Sequence, residues 1–361
     1  MPSNVSGTNP ARFRRERVRL DEQGKPESFP DSAVELDWYA HHNISGKFAY
    51  LERFGRIPAP ESLSEFIDVA EQISVASDQG ITGWRGQSDG KWGVQTGAAR
   101  RVLKPWSARE SREYREVHDL LERAKIDTGF NPRRDQPRDE GCIGHREDVA
   151  MYQRYLLDQA RKRGFDIVDG RPLSDLSLLG MLQHHGAATN LLDISSSVLV
   201  ALWFAASSNP LDTGIVVAFD EQSVLSLSAK SAERETLEGL IDWLTSEWQR
   251  ERVGRWTPST PTSRVLGQHS QFLLPPTGEE PWGTIPLWGT SVWASDQREF
   301  SLDHTFAKVF FIAVPPPLKD AVRRAGENGL LGLDEASIYP DIGGFSQAHS
   351  AQQTVPLLPY L

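Results

Sequence analysis

Val198-Leu199-Val200-Ala201-Leu202-Trp203-Phe204-Ala205-Ala206 is an unbroken apolar run, followed after a short polar stretch by Asp212-Thr213-Gly214 and Ile215-Val216-Val217-Ala218-Phe219. Periodicity alone does not separate a buried helix from a buried strand in the first run. Ser195, Ser196 and Ser197 in front of it are good N-caps and its alanine content favours helix, so it reads as a core helix. The second run is short, β-branched and bounded by turn residues, and reads as a buried strand.

Working outward, Ser62-x-x-Glu65 has capping-box form, and Leu63, Phe66, Ile67, Ala70 and Ile73 fall on one helical face. Ile81-Thr82-Gly83-Trp84-Arg85 reads as a strand that runs into a tight turn at Gly86, which puts Arg85 at a strand end. Residues 109–125 and 147–163 have helical character, with an exposed loop over 129–144 between them. Ser174 opens a further helix through Leu176, Leu179 and Leu182 that Gly186 stops. Leu237, Leu240, Ile241, Leu244 and Trp248 form another helical stripe, and Lys308-Val309-Phe310-Phe311-Ile312-Ala313-Val314 reads as a buried strand ended by three prolines. Hairpins and loops are expected over 255–305.

Helices mixed irregularly with strands predict an α+β fold, a mixed sheet core with surrounding helices and long loops, rather than a regularly alternating parallel sheet. Residues 1–60 are expected to be an arm and leader, partly disordered. Residues 61–361 are expected to form one domain, with the motif-bearing core at about 62–219 and 220–361 completing it.

The 361 residues include 29 glycines and 23 prolines, which implies many loops between short elements. Cys142 is the single cysteine, so an intrachain disulfide and a multi-cysteine zinc site are both excluded, and a reducing compartment fits best. No apolar run approaches the roughly 20 residues that span a bilayer, and the basic N-terminus has no apolar segment behind it, so a cytoplasmic location without membrane contact is expected. A net charge of −10 argues against broad attraction to nucleic acid. The arginines of Arg12-Phe13-Arg14-Arg15-Glu16-Arg17-Val18-Arg19 read first as a solvated arm.

Two stretches carry residues suited to chemistry. In Trp84-Arg85-Gly86-Gln87-Ser88, an arginine followed by a glycine that admits close backbone approach could hold a phosphate or pyrophosphate; the alternative is an arginine that anchors a neighbouring loop. In Gln183-His184-His185-Gly186, two histidines close a helix, where they could meet a ligand or cap carbonyls, and Asp193 downstream could orient one of them or Arg85. Adjacent histidines without HxxxH or HxxE spacing are a poor metal site, so no metal is expected. Gln268 either faces the same cleft or belongs to a polar strand or short helix over the core.

Taken together, these stretches resemble the FRG domain family, named for an aromatic-Arg-Gly motif. The resemblance rests on Trp84-Arg85-Gly86-Gln87, Trp92 and Arg100-Arg101, then on Gln183-His184-His185-Gly186-Ala187-Ala188-Thr189-Asn190-Leu191-Leu192-Asp193 ahead of the apolar helix. Trp84 replaces the usual Phe or Tyr, Asn190 stands where the family generally has arginine, and Ile194 where tryptophan is common. Similarity to ADP-ribosyltransferases would imply NAD as a possible substrate, held by Arg85, Gly86, Gln87, Gln183, Thr189, Asp193, Ser195 and Gln268, with ADP-ribose passing to a protein or nucleic-acid acceptor. Breaking the nicotinamide bond develops positive charge on the ribose, which needs a carboxylate. Glu335 is the preferred catalytic carboxylate, with His184 beside it; the other reading of Glu335 is a helix cap or solvent-facing residue. A non-enzymatic nucleotide- or anion-recognition module explains the same polar residues without Glu335. The transferase analogy suggests a toxin or defence role. Oligomeric state is not legible.

Overall fold

The computed structural model describes Tyr39 and residues 42–77, 79–104, 146–245, 253–259, 261–278, 282–289 and 308–348. A hairpin, β1 (Phe48–Leu51) and β2 (Gly55–Pro58), precedes α1 (Leu63–Ala76), β3 (Ile81–Gln87) and α2 (Gly97–Val102). Next come α3 (Arg146–Lys162), a small hairpin of β4 (Ile167–Val168) and β5 (Arg171–Pro172), α4 (Asp175–His184), β6 (Leu192–Ser195), α5 (Val198–Ala206) and β7 (Gly214–Asp220). They are followed by β8 (Val224–Leu227), α6 (Ala229–Ala232), α7 (Leu237–Thr245), β9 (Val253–Trp256), α8 (Ser263–Gly267) and β10 (Ser270–Leu274). The chain then runs through β11 (Trp288–Gly289), β12 (Lys308–Val314), α9 (Pro316–Glu327), α10 (Glu335–Ile338) and α11 (Ile342–Ala348).

The fold is α+β. Eight strands form one mixed sheet in the order β11-β12-β7-β3-β6-β10-β9-β8. The five pairings at its centre from β12 to β9 are antiparallel, while the edge pairs β11–β12 and β8–β9 are parallel. Every residue of β7 is buried, as its continuous apolar run requires of a strand covered on both faces. Chain order and sheet order diverge strongly: β3 lies between β7 and β6, and these three strands bring the two sequence motifs side by side.

The nine-residue α5 shows how sequence and packing agree. Ser197 accepts the Val200 amide as N-cap, and Val200, Ala201, Leu202 and Ala205 are buried. Ala201 and Ala205 are one turn apart, and they leave the helix face smooth enough to lie directly on glycines of the sheet. A methyl group added at Gly86 would fall 1.8 Å from the Ala201 carbonyl oxygen, and one at Gly214 would fall 2.5 Å from that of Ala205. At the end of α4, Gly186 takes φ +87°, a conformation that glycine adopts without penalty, and Ala187 donates back to the Leu182 carbonyl.

Two expectations change. β3 does not turn at Gly86 but continues to Gln87, pairing with β7 from Ile81 to Gln87 with one irregularity, so Arg85 lies within the strand. The glycine there answers to the closeness of α5, not to a turn. The prolines after β12 also do more than end it, since Pro316 occupies the first turn of α9, where a missing N–H costs nothing. Packing shows no break at residue 61: Tyr39, Phe54 and Ile57 belong to the main core, and the Tyr39 hydroxyl donates to the Phe311 carbonyl at 3.0 Å. The helix expected over 109–125, the loop over 129–144 and Trp248 lie outside the described residues. Among the described residues, no helix is long and apolar enough to cross a membrane.

Two large apolar clusters, beside a small third one at Ala98, Ala99, Val102 and Val149, form among the described residues. The larger joins β3, β7 and β12 to α1, α5 and α9; the smaller joins α3, α4 and α7 to Trp256, Phe272 and Leu274. A cavity opens where they meet.

Candidate functional site

The cavity has a volume of about 460 Å³. Trp84, Ile194 and Ala201 reach it from the larger cluster, and Trp256 and Phe272 from the smaller. Polar residues reach it from β3 (Arg85), the end of α4 (Gln183, His184), β6 (Asp193, Ser195), α8 (Arg264), the turn between α8 and β10 (Gln268) and the end of α10 (Tyr339), among others. Short elements that cross at their ends thus converge on one volume, although their residues lie far apart in sequence.

Arg85 is held by β6. Its Nη1 donates to the Asp193 carbonyl at 2.8 Å, and its burial, set against attraction to the Asp193 carboxylate, holds its pKa below the usual arginine value. Asp193 is pushed the other way: burial raises its carboxyl, opposed by Arg85 and by a 2.6 Å hydrogen bond that Gln183 Nε2 donates to Oδ2. Gln183 is fixed in turn, because the Thr189 hydroxyl donates to its Oε1. The amide orientation therefore follows from Thr189, and the carboxyl orientation follows from the amide.

On the opposite wall, Arg264 and Asp341 form a two-pronged pair, Nε to Oδ2 at 2.7 Å and Nη2 to Oδ1 at 3.1 Å. The Gly344 amide also donates to Asp341 Oδ1 at 2.8 Å. The Arg264 guanidinium lies 5.0 Å from the centre of the Tyr339 ring, which meets Trp203 and Phe204 edge-on. Burial lowers the His184 pKa, helped by Arg264, and leaves this imidazole, 3.8 Å from Asp341, neutral near pH 7. The Tyr339 hydroxyl is raised by burial.

Asp341 joins the α10–α11 segment to α8, and its acidity follows from that position. Although burial opposes it, the Gly344 amide and Arg264 lower its pKa below the usual carboxylate value. A depressed folded value gives stability that is present above the unfolded pKa and lost as pH falls through the folded one. The difference in thermal midpoint between wild type and Asp341→Asn should therefore be largest near neutral pH and shrink below about pH 4. A constant difference across that range would contradict the ionic role.

Of the residues singled out from sequence, Arg85, Gly86, Gln183, His184, Asp193, Ser195 and Gln268 line the cavity. Ser195 is tied to its surroundings: its hydroxyl donates to the Gln268 carbonyl at 2.7 Å and accepts the Ser197 amide at 3.0 Å. Gln268 Nε2 donates to the Ile338 carbonyl at 3.1 Å, which holds α10 over the site. Thr189 is buried behind Gln183 and touches the cavity only through it. The Gln87 amide donates to the Trp92 carbonyl at 3.3 Å and is not part of the wall. Glu335 is exposed in the first turn of α10, where Asp334 is the N-cap, and does not line the cavity. Asn190 is wholly engaged in support, accepting from Thr96 Oγ1 at 3.0 Å and donating to the Pro275 carbonyl at 2.9 Å.

Sequence reasoning missed the aromatic wall of Phe204, Trp256 and Tyr339, and missed Val168 on the β4–β5 hairpin. The hairpin had a local signal in Asp169-Gly170, which both take positive φ as a two-residue turn demands. The aromatic residues had none, because each comes from a different element. Among the described residues, no group of three or more His, Cys, Asp or Glu side chains could hold a metal ion.

Residues 81–213 match the family model of the FRG domain, a span that runs from β3 to the residue before β7. The chain is thus an FRG domain-containing protein, and the cavity takes Arg85, Gln183 and Asp193 from inside that span but Trp256, Arg264, Gln268 and Tyr339 from beyond it. No curated protein and no solved structure was found to match the chain.

Proposed function

We propose that the chain is a nucleotide-binding protein whose ligand, NAD or a related pyrophosphate nucleotide, occupies this cavity. One observation carries the reading: a volume of about 460 Å³ combines a half-buried arginine on a fixed Asp193–Gln183 support with the rings of Trp84, Phe204, Trp256, Phe272 and Tyr339. That size and that mixture of apolar wall with a few placed polar groups suit a ligand having both a flat ring and an anionic group. Arg85 supplies the cation, and Arg264, already paired with Asp341, supports the wall.

Titration calorimetry with NAD, ADP-ribose and inorganic pyrophosphate tests the proposal. Loss of a charge-assisted hydrogen bond in Arg85→Ala should weaken binding about tenfold or more. Equal affinity in the variant would remove Arg85 from the site, and failure of both NAD and ADP-ribose to bind wild type would end the nucleotide reading.

ADP-ribose transfer to a macromolecular acceptor, in a toxin or defence setting, is a second reading, favoured by one feature: Asp193 is the acidic residue in the cavity wall, next to Arg85. Its raised pKa suits a hydrogen-bonding role better than stabilisation of a cationic ribose, so binding ranks before turnover. With labelled NAD and cell lysate, transfer carried by the cavity would be lost in Asp193→Asn and kept in Glu335→Gln. The reverse pattern would restore the catalytic role to Glu335.

A further inference from the structure

Four buried side-chain donors find no acceptor among the described residues: Arg85 Nε, Trp256 Nε1, Trp282 Nε1 and Thr284 Oγ1. Two of the four, on Arg85 and Trp256, belong to residues that line the same cavity, whereas Trp282 and Thr284 do not. A buried donor left without a partner keeps the full cost of its desolvation, so native proteins keep few of them, and a pair at one cavity calls for an explanation.

Trp256 cannot turn to find an acceptor elsewhere. It is 1% exposed, its six-membered edge rests on Gly180, where an added methyl would meet Cζ3 at 3.6 Å, and its face meets Phe272 with ring centres 5.5 Å apart. Strand β9 fixes its backbone through pairing with Phe272 of β10. Arg85 is similarly committed, with one guanidinium nitrogen on the Asp193 carbonyl. Both orphaned atoms are donors, which selects for an acceptor on the ligand and against an ammonium group.

We infer that Trp256 is a specificity-determining residue, whose indole N–H joins Arg85 Nε in binding an oxyanion of phosphate chemistry on the cavity's ligand. This rests on the nucleotide reading for the rest of the ligand but not for the anion. It also assigns the site a donor from outside the span that matches the FRG domain, since Trp256 lies beyond residue 213. An indole donor is neutral, so it reads the position of an acceptor oxygen without adding long-range attraction; Arg85 provides that attraction.

The test uses full-length protein, wild type and Trp256→Phe, with NAD, ADP-ribose and inorganic pyrophosphate as separate probes. Phenylalanine keeps an aromatic ring against Gly180 and Phe272 while removing the N–H. Pyrophosphate should bind Trp256→Phe about tenfold more weakly than wild type, and it should shift the Trp256 indole ¹⁵N–¹H resonance of wild type. If pyrophosphate gives these results while neither NAD nor ADP-ribose binds, the role of Trp256 stands and the nucleotide reading falls. Should Trp256→Phe fail to fold, the resonance is assigned through connectivities in the wild-type protein, and its response to pyrophosphate decides alone. An indole signal that none of the probes moves, or equal affinity in a folded variant, overturns the inference.

Discussion

Gly86→Ala should destabilise the protein by about 3 kcal/mol or more, which is the upper range for overpacking a well-filled core. The reason is geometric. The added methyl would lie 1.8 Å from the Ala201 carbonyl oxygen and 2.7 Å from the Ala205 amide nitrogen, and both are backbone atoms of α5. No rotamer change relieves such a contact, so the helix must move off the sheet, and β3 loses the element that buries it. Since Phe204 and Ala201 carry α5 into the cavity wall, the variant should also lose ligand binding under conditions where it remains folded. Urea unfolding of both proteins checks the first effect and calorimetry at low temperature the second. Gly180→Ala is the matched control, since its methyl meets Trp256 at an ordinary 3.6 Å in the middle of α4. Helix propensity alone would make that change neutral or stabilising by up to about 1 kcal/mol. Equal stability of Gly86→Ala and wild type would mean that α5 is not held as closely to β3 as its contacts indicate.

The Arg-Gly pair in β3 therefore has two separate physical causes. Arg85 serves the cavity, while Gly86, which also borders it, is required as glycine by the helix–sheet contact. Sequence alone singled out both residues but attached the glycine to a turn, because a close helix leaves the same local mark. The fold class was legible for a related reason: the apolar run of α5 and the β-branched run of β7 are long enough for period and capping to act, and both elements appear where their boundaries placed them. The polar half of the site was legible too, since Gln183, His184 and Asp193 lie within one motif, and the end of α4 and strand β6 are local structures. What could not be read was which distant segments would face them. Arg264, Gln268 and Phe272 recur every fourth residue, yet they fall on a short helix, its cap and a strand, so no single periodicity describes them. Trp256 and Tyr339 reach the cavity only through the pairing of β9 with β10 and the docking of α10. Glu335 shows the limit of chain proximity: its neighbour Tyr339 lines the cavity, while its own side chain is exposed.

Lys319→Met should lower stability by about 2–4 kcal/mol, a fall of roughly 3–6 °C in thermal midpoint for a domain of this size. Lys319 is 2% exposed, an unusual position for an ammonium group, and nothing in the sequence of α9 announces it. Its Nζ donates to three backbone carbonyls, those of Ser88 at 2.6 Å, Ser208 at 3.0 Å and Asn209 at 2.9 Å. Three donors meet three acceptors, so the group has no proton left for a ligand and its role is to join elements. Ser88 follows β3, Ser208 and Asn209 follow α5, and Lys319 lies on α9, so one side chain ties together the strand and helix that carry Arg85 and Phe204. Methionine matches the length and shape of the stem but leaves all three carbonyls without that donor. The cost of removing those bonds is offset in part by no longer burying a charge, which burial already shows by lowering the lysine pKa. The balance favours the bonds, because the ammonium protons are fully used and the bond to the Ser88 carbonyl is buried. A variant as stable as wild type would reverse that balance and make Lys319 a residue retained for reasons other than stability. With the expected loss, nucleotide affinity measured well below the midpoint should still match wild type, since Lys319 does not line the cavity.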